Sequence, residues 1–322
     1  MTRLFRDVDG GSVSRRGTVL CIGAFDGLHL GHQALLQRTL GRARELEADA
    51  AVLAFEPIPR EFFLGTQAPA RVASWRDRFE RLRTARVDHV GMLRFNAALA
   101  SMQAEEFIER VLVQRLSARE VWTGADFRFG RGRRGDLSML QAHGATHGFT
   151  AQTIDTHHHH DTRVSSSAIR TALAAGDLKT AEHMLGRPYS IANRVVRGKQ
   201  LGRTLGYPTA NLRLAGQSPA LGGIFATWVH GVGTKPWPSV SSLGTRPTVN
   251  GKEPLLEAHL FDFDGDLYGQ RIEVEFVAKL RDEEKFSDLP ALVVQMDRDA
   301  AQARAILASS SVVASTSIRT PA

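Results

Sequence analysis

An apolar run at residues 18–22 (Thr, Val, Leu, Cys, Ile) stops at Gly23, and after Gly27 and Gly31 a helical pattern occupies residues 33–47. That order dictates a buried strand, a glycine-punctuated turn and the first turn of a helix. His29 and His32 lie three residues apart at the helix start, so they share one face. Both fall where unpaired backbone N–H groups and the helix dipole favour an anion, and the flanking glycines let backbone approach a ligand. Two imidazoles aimed at such a point suggest phosphate chemistry.

The pattern continues as strand and helix in alternation. A short apolar strand at residues 50–55 ends in Glu56-Pro57-Ile58-Pro59, whose prolines predict an extended loop. A helix over 75–85, a strand over 87–93, a helix over about 104–116 with Phe107, Val111 and Leu112 on one face, and a strand over 120–123 follow. A helix near 136–143 and a strand near 149–154 complete the series. This rhythm predicts a doubly wound parallel sheet of the α/β class, with ligands at the strand C-termini.

Three stretches in this half invite a chemical reading. Gly130, Gly132 and Gly135 spell a G-x-G-x-x-G, with Asp155 further on. It lies late in the strand order, and Arg131, Arg133 and Arg134 fit a mobile basic lid better than a pyrophosphate turn. No Walker-type G-x-x-x-x-G-K-[ST] occurs. The His157–His160 run lacks carboxylates or cysteines at ligand spacing and reads as a solvated loop. Arg163, Ser165, Ser166, Ser167 and Arg170 open a predicted helix to Ala175. Serines there cap the helix, and two arginines bracketing three hydroxyls also form an oligophosphate clamp.

The blocks G-x-F-D-G-x-H-x-G-H (from Gly23), D-F-x-F-G (from Asp126) and R-x-S-S-S-x-I-R (from Arg163), in this order, resemble the adenylyltransferase module of prokaryotic bifunctional riboflavin kinase/FAD synthetases. The resemblance implies an H-x-G-H nucleotidyltransferase. His29 and His32 would stabilise charge on the ATP phosphates as pyrophosphate leaves, and Arg163, Ser166 and Ser167 would hold the β- and γ-phosphates. Gly23, Phe25, Asp26, Gly31 and Arg170 would complete the ATP site, with Asp126, Phe127 and Phe129 beside nucleotide and flavin. Ile58 stands where the family often has a polar residue, and Ser167 where it often has threonine.

Beyond Leu185-Gly186-Arg187-Pro188 the helical pattern gives way to strand candidates at 189–196, 224–230, 239–243, 255–261 and 272–278, separated by Gly and Pro turns. These predict a small antiparallel β-barrel. A last helix over 287–307 has Ser287 as its expected N-cap, Pro290 in the first turn, and Leu289, Leu292, Val293, Met296, Ala300, Ala303 and Leu307 on its buried face. The Ser/Thr/Ala-rich tail beyond it has little to bury and is expected to be disordered. The expected domains are therefore 1–186 and 187–308, with a tail at 309–322.

Within the barrel half, Gly202, Gly206, Tyr207, Pro208, Thr209 and Asn211 form one block. Gly206 permits close backbone approach and Pro208 stiffens the turn. Thr209 and Asn211 present oxygens on one side of an extended segment, and such hard oxygens suit Mg²⁺ carried on a nucleotide. The block resembles the family's kinase module, as do Gly244-Thr-Arg-Pro-Thr248 and the stretch from Glu257 to Gly269. The resemblance implies Glu257 as general base toward a ribityl hydroxyl, whose pKa is high enough to need one. The implied partner reaction uses the already anionic FMN phosphate as nucleophile and needs only charge stabilisation.

The implied activity is riboflavin plus ATP to FMN, then FMN plus a second ATP to FAD, both with Mg²⁺. A single-function nucleotidyltransferase with a substrate-binding barrel is the alternative enzyme, and a basic flavin- or RNA-binding regulator the non-enzymatic one. The net charge of +7, from 41 basic and 34 acidic side chains, is spread along the chain and does not by itself favour nucleic acid. The one cysteine, Cys21, sits in the first apolar run as a core residue, and a reducing, cytoplasmic setting fits. No segment approaches membrane-spanning length, and the expected state is a monomer or weak homo-oligomer.

Overall fold

The computed structural model describes residues 1–155, 157–159, 162–198, 202, 205–214, 219–248 and 251–309. Residues 310–322, most of the expected tail, lie outside them. The chain separates into two compact units, Met1–Pro69 with Ser74–Ser165, and Ala70–Ala73 with Ser166–Ala322.

The first unit runs β1 (Arg3–Phe5), β2 (Thr18–Ile22), α1 (Leu30–Glu45), β3 (Asp49–Glu56), α2 (Pro59–Leu64), α3 (Trp75–Thr84), β4 (His89–Arg94), α4 (Ala97–Ser101), α5 (Ala104–Phe107), β5 (Ala118–Gly124), α6 (Leu137–His147) and β6 (Thr150–Ile154). A two-stranded hairpin, β7 (His158–His159) with β8 (Thr162–Arg163), closes it. Strands β1 to β6 form one parallel sheet in the order β1-β4-β3-β2-β5-β6. Alternate residues of β2 feed opposite cores: Leu20 and Ile22 join Leu53, Phe107 and Ile108, while Val19 and Cys21 join Leu35, Val52 and Val90. Both faces are buried, which is why the run reads as continuously apolar.

Several local expectations are corrected here. The extended loop expected after Glu56 is only two residues long, because Pro59 takes the first position of α2, where its missing N–H costs nothing. The expected helix over 104–116 widens to π-helical turns over Ile108–Arg115. The glycines at 130 and 135 make room for neighbours: a Cβ on Gly130 would lie 2.7 Å from Ala104, and one on Gly135 2.6 Å from the Phe129 ring. Phe129 and Gly135 exchange backbone hydrogen bonds of 3.1 and 2.9 Å, and Arg131 N–H donates to Met102 O at 2.8 Å. The expected basic lid is thus a tethered turn. The histidine run enters the β7–β8 hairpin instead of a plain loop, with His157 and His158 exposed and His160 outside the described residues.

The second unit begins with α7 (Ser166–Ala174) and α8 (Leu178–Leu185). It continues as β9 (Ser190–Val196), β10 (Ala210–Arg213), β11 (Gly223–His230), β12 (Trp237–Thr248), β13 (Gly251–Leu260), β14 (Arg271–Arg281) and α9 (Leu289–Ser309). The six strands close an antiparallel barrel in the order β10-β13-β12-β11-β14-β9. Phe225, Leu243, Leu256 and Val274 are fully buried in this unit. α9 lies against it through Ala303 and Leu307, packed with Ala226 and Phe261. The cap of α9 is Asp288, whose Oδ1 accepts the Ala291 N–H at 2.8 Å, while Ser287 donates its hydroxyl to Asp288. Leu289, expected inside, is 52% exposed.

Candidate functional site

In the first unit the strand order reverses between β2 and β5, so the loops leaving their C-terminal ends open on one crevice. Out of β2 comes the Gly23–His32 turn. Gly23 N–H donates to Leu53 O at 3.1 Å, and Phe25, fully buried at φ +51°, anchors the turn. Asp26 is buried beside it.

His29 is the N-cap of α1. Its Nδ1 accepts the backbone N–H of His32 at 3.3 Å, which puts the imidazole proton on Nε2. The rings of His29 and His32 stack with centroids 3.7 Å apart, and Phe25 lies 5.0 Å from His32. Gly31 makes this possible: a Cβ there would come within 3.3 Å of the His29 ring. Burial, then the charges of Arg163 and His157, lower the His29 pKa to about 4. Burial, then His29 and Arg78, hold His32 well below its ordinary value. The pair is therefore neutral near pH 7, a pair of oriented N–H groups in place of cations. The Nδ1 of His32 is buried with no hydrogen-bond partner among the described residues.

From β5 comes Asp126, which pairs with Arg163 at 2.5 Å. Phe127 and Phe129 stack at 5.6 Å. Phe129 is buried against Phe107, so it anchors the loop, and Phe127 is only partly buried. Ser166, Ser167 and Arg170 belong to the second unit, at the start of α7, where Arg170 Nη2 donates to Ser167 Oγ at 3.2 Å.

Two features of this unit escaped the sequence. Arg78, on α3, is fully buried, donates to Ala24 O at 2.8 Å and pairs with Glu56, so it ties the phosphate turn to the end of β3. Its position in an Arg-rich amphipathic helix gives no sign of burial. Phe55, Phe62, Phe63 and Phe95 form an edge-to-face group, with Phe63 66% exposed. An exposed aromatic pair after Pro59 was the available signal.

In the second unit, Gly202 O accepts the N–H of Tyr207 at 2.7 Å, and Gly206 turns the chain at φ +83°. Pro208 and Thr209 then lead into β10. Ladder pairing sets Asn211 directly opposite Glu257 on β13. Thr209 Oγ1 is 3.5 Å from Glu257 Oε1, and Asn211 Nδ2 donates to Thr209 O at 3.1 Å and Oγ1 at 3.3 Å. Asn211 is buried, and its Oδ1 has no hydrogen-bond partner among the described residues.

Gly202, Tyr207, Thr209 and Glu257 border a cavity of about 600 Å³, and Asn211 lies behind Thr209 without lining it. Its polar lining includes Thr209, Ser242, Glu257, His259 and Glu283, and its apolar lining Leu205, Ile224, Val240, Phe286, Leu292 and Met296. Burial raises the Glu283 pKa, with the Glu257 charge adding to it against a Ser242 hydrogen bond. Its carboxyl occupies the space a Cβ on Gly244 would need. Arg281 holds Asp299 through bonds of 3.0 and 2.7 Å, pinning the end of β14 to α9. The sequence showed Glu283 only as part of an acidic run that reads as solvated surface.

For a divalent cation, the described residues contain no group of three or more His, Cys, Asp or Glu able to hold it. The Asn211 Oδ1 without a partner among the described residues and Thr209 Oγ1 are instead a small set of hard oxygens beside the Glu257 carboxylate. That set fits Mg²⁺ whose remaining ligands are phosphate and water.

Two family models match the chain, one described as FAD synthetase over residues 12–168 and one described as riboflavin kinase over residues 185–307. A Haemophilus influenzae protein described as bifunctional riboflavin kinase/FMN adenylyltransferase is 43% identical over 303 residues, covering 94% of this chain and 98% of its own. One of the same description from Pseudomonas fluorescens is 46% identical over 299 residues, covering 92% and 94%. A crystal structure from Streptococcus pneumoniae, described as a macrolide-efflux protein, matches with a TM-score of 0.78 at 27% identity, covering 96% of this chain and 99% of that one. No helix among the described residues is long and apolar enough to cross a membrane.

Proposed function

The chain belongs to the bifunctional riboflavin kinase/FMN adenylyltransferase family, and on that premise we propose which residues carry each of its two reactions. It is an enzyme that phosphorylates riboflavin to FMN with ATP and adenylylates FMN to FAD, releasing pyrophosphate.

Adenylylation belongs to the first unit. The FMN phosphate attacks the α-phosphorus of ATP and the bond to pyrophosphate breaks; the nucleophile is already an anion, so no general base is required. His29 donates its Nε2–H to the phosphoryl oxygens, and His32, stacked on it, supports the same oxygens. As neutral donors fixed by a helix cap they need no reorganisation when charge builds. The α1 N-terminus adds its dipole, and Gly23, Phe25, Asp26 and Gly31 shape the turn around the phosphates. Arg163, oriented by Asp126, binds the β- and γ-phosphates. Phe127 borders the nucleotide and flavin, Phe129 holds that loop, and exposed Phe62 and Phe63 offer the isoalloxazine an aromatic face.

Phosphorylation of riboflavin belongs to the second unit. Glu257 accepts the proton of the ribityl hydroxyl as its oxygen attacks the γ-phosphorus, and ADP leaves. Gly202, Gly206 and Pro208 shape the turn that presents Thr209 and Asn211 to the phosphates. Bound Mg²⁺, held by Thr209 and Asn211 together with the ATP phosphates, would offset phosphate charge. The apolar wall of the cavity accepts the flavin ring.

The observation that carries this assignment is the ladder pairing that sets Asn211 opposite Glu257, with Thr209 at the same end. The functional modules are placed at 1–186 and 187–308, with Mg²⁺ used by both. The only partners assigned are the small molecules riboflavin, FMN and ATP, in a cytoplasmic monomer or weak homo-oligomer without nucleic-acid or membrane partners. Incubation with riboflavin, ATP and Mg²⁺ followed by chromatographic separation of flavins tests the reading. FMN and then FAD are expected, and chelation by EDTA is expected to stop both; persistence of either product in EDTA overturns the Mg²⁺ assignment.

A further inference from the structure

On β13, His259 follows Glu257 by two residues and therefore stands on the same face of the barrel strand. Its Nδ1 lies 2.9 Å from the carbonyl oxygen of Pro208. A carbonyl can only accept, so Nδ1 carries the proton and donates. The Tyr207 ring packs on the imidazole with centroids 4.9 Å apart, and the Tyr207 hydroxyl bonds Asp297 on α9. Burial keeps the imidazole on the neutral side of its ordinary titration. Pro208 has no N–H to donate, which leaves its carbonyl as its only backbone anchor. That carbonyl shares a rigid plane with the N–H and Cα of Thr209. A bond to Pro208 O therefore sets the peptide from which the Thr209 side chain projects, two residues before Asn211.

We propose that His259 is a positioning residue for phosphoryl transfer: by holding the Pro208 carbonyl it sets the Thr209 and Asn211 oxygens against Glu257. This rests on the assignment of those three residues to riboflavin phosphorylation. His259 also lines the cavity, and the role assigned to it is exerted through the loop carbonyl.

The test compares His259→Leu, which removes the donor, with His259→Asn, whose side-chain amide can donate from nearly the Nδ1 position. His259→Leu is expected to lower kcat/KM for MgATP in riboflavin phosphorylation by about 10- to 100-fold, the scale of a displaced catalytic group, with KM for riboflavin unchanged. His259→Asn is expected to recover most of that loss. Amide hydrogen exchange in a peptide spanning residues 205–212 should accelerate in the Leu variant and slow again in the Asn variant. FMN adenylylation by the same preparations should match the unaltered chain. Unchanged MgATP parameters in His259→Leu overturn the proposal, as does an Asn variant as impaired as the Leu variant. Glu257→Ala is assayed alongside. If it still phosphorylates riboflavin, the site assignment falls and the proposal with it; if it is inactive while His259→Leu is normal, the proposal alone falls.

Discussion

Replacing His29 separates its two jobs, capping α1 and donating to phosphate, because different side chains remove different parts. His29→Ala removes both. His29→Asn keeps an N-cap acceptor for the His32 N–H but withdraws the imidazole Nε2–H. Loss of an N-cap costs about 0.5–2 kcal/mol, and loss of one transition-state donor costs about 10²–10³-fold in rate, roughly 3–4 kcal/mol. FAD formation from FMN should therefore fall about 10²–10³-fold in both variants, while only His29→Ala should lose the capping stability. A further component is specific to the imidazole. The native pKa is about 4 against 6.5 for an unperturbed imidazole, so between those values the unfolded chain binds a proton that the native chain does not. Acidification thus favours unfolding: stability is full above pH 6.5, falls as pH drops, and levels off below about 4. The total is about 3 kcal/mol at about 1.4 kcal/mol per unit, and it should vanish in His29→Asn. The assays are flavin chromatography for rate, and urea denaturation at pH 7 and pH 5 for stability. FAD formation at the unaltered rate in His29→Asn, or the same acid loss of stability as the unaltered chain, refutes the reasoning.

Two other consequences concern the same unit. Because both imidazoles are already neutral, the saturated rate of FAD formation should not rise as pH falls from 8 to 6.5; a rise with an apparent pKa near 6.5 would show imidazolium to be the working form. Arg78→Met deletes the buried cation that ties Ala24 to Glu56 and should cost about 3–5 kcal/mol, read by urea denaturation, with FAD formation reduced and FMN formation from riboflavin retained. Stability within 0.5 kcal/mol, roughly that of a surface substitution, contradicts the tie.

What could be read from residue order was what depends on short-range pattern. The β2–turn–α1 unit is legible because apolar run, glycines and helical period are contiguous, and five of the six barrel strands because Gly or Pro turns separate them; the four-residue β10 was read only as an extended segment around Thr209 and Asn211. β1 was not anticipated: at three residues it has no measurable period, and it exists because Phe5 fits over Gly91, where a Cβ would lie 2.6 Å from its ring. Pro59 was read as a breaker, though in the first helical position it is permitted. Ser287 and Asp288 are both good caps, and only the geometry chooses between them. Leu289 fits the helical stripe but lines the cavity with Leu292 and Met296 and stays half exposed. At the sites, the residue types were legible and their electrostatic state was not. The neutrality of His29 and His32 follows first from burial, and then from charges far along the chain, Arg163 at His29 and Arg78 at His32. Glu283 and His259 owe their positions to ladder pairing and to the return of the chain after β14.

The central claim is that two chemically different sites, one with a carboxylate base and one without, share this chain. Glu257→Ala tests it most directly when the purified variant is given ATP and Mg²⁺ with either riboflavin or FMN. The account predicts that riboflavin is left unphosphorylated while FMN is converted to FAD at the unaltered rate. A folded Glu257→Ala protein that fails on both substrates, or that still makes FMN from riboflavin, contradicts it.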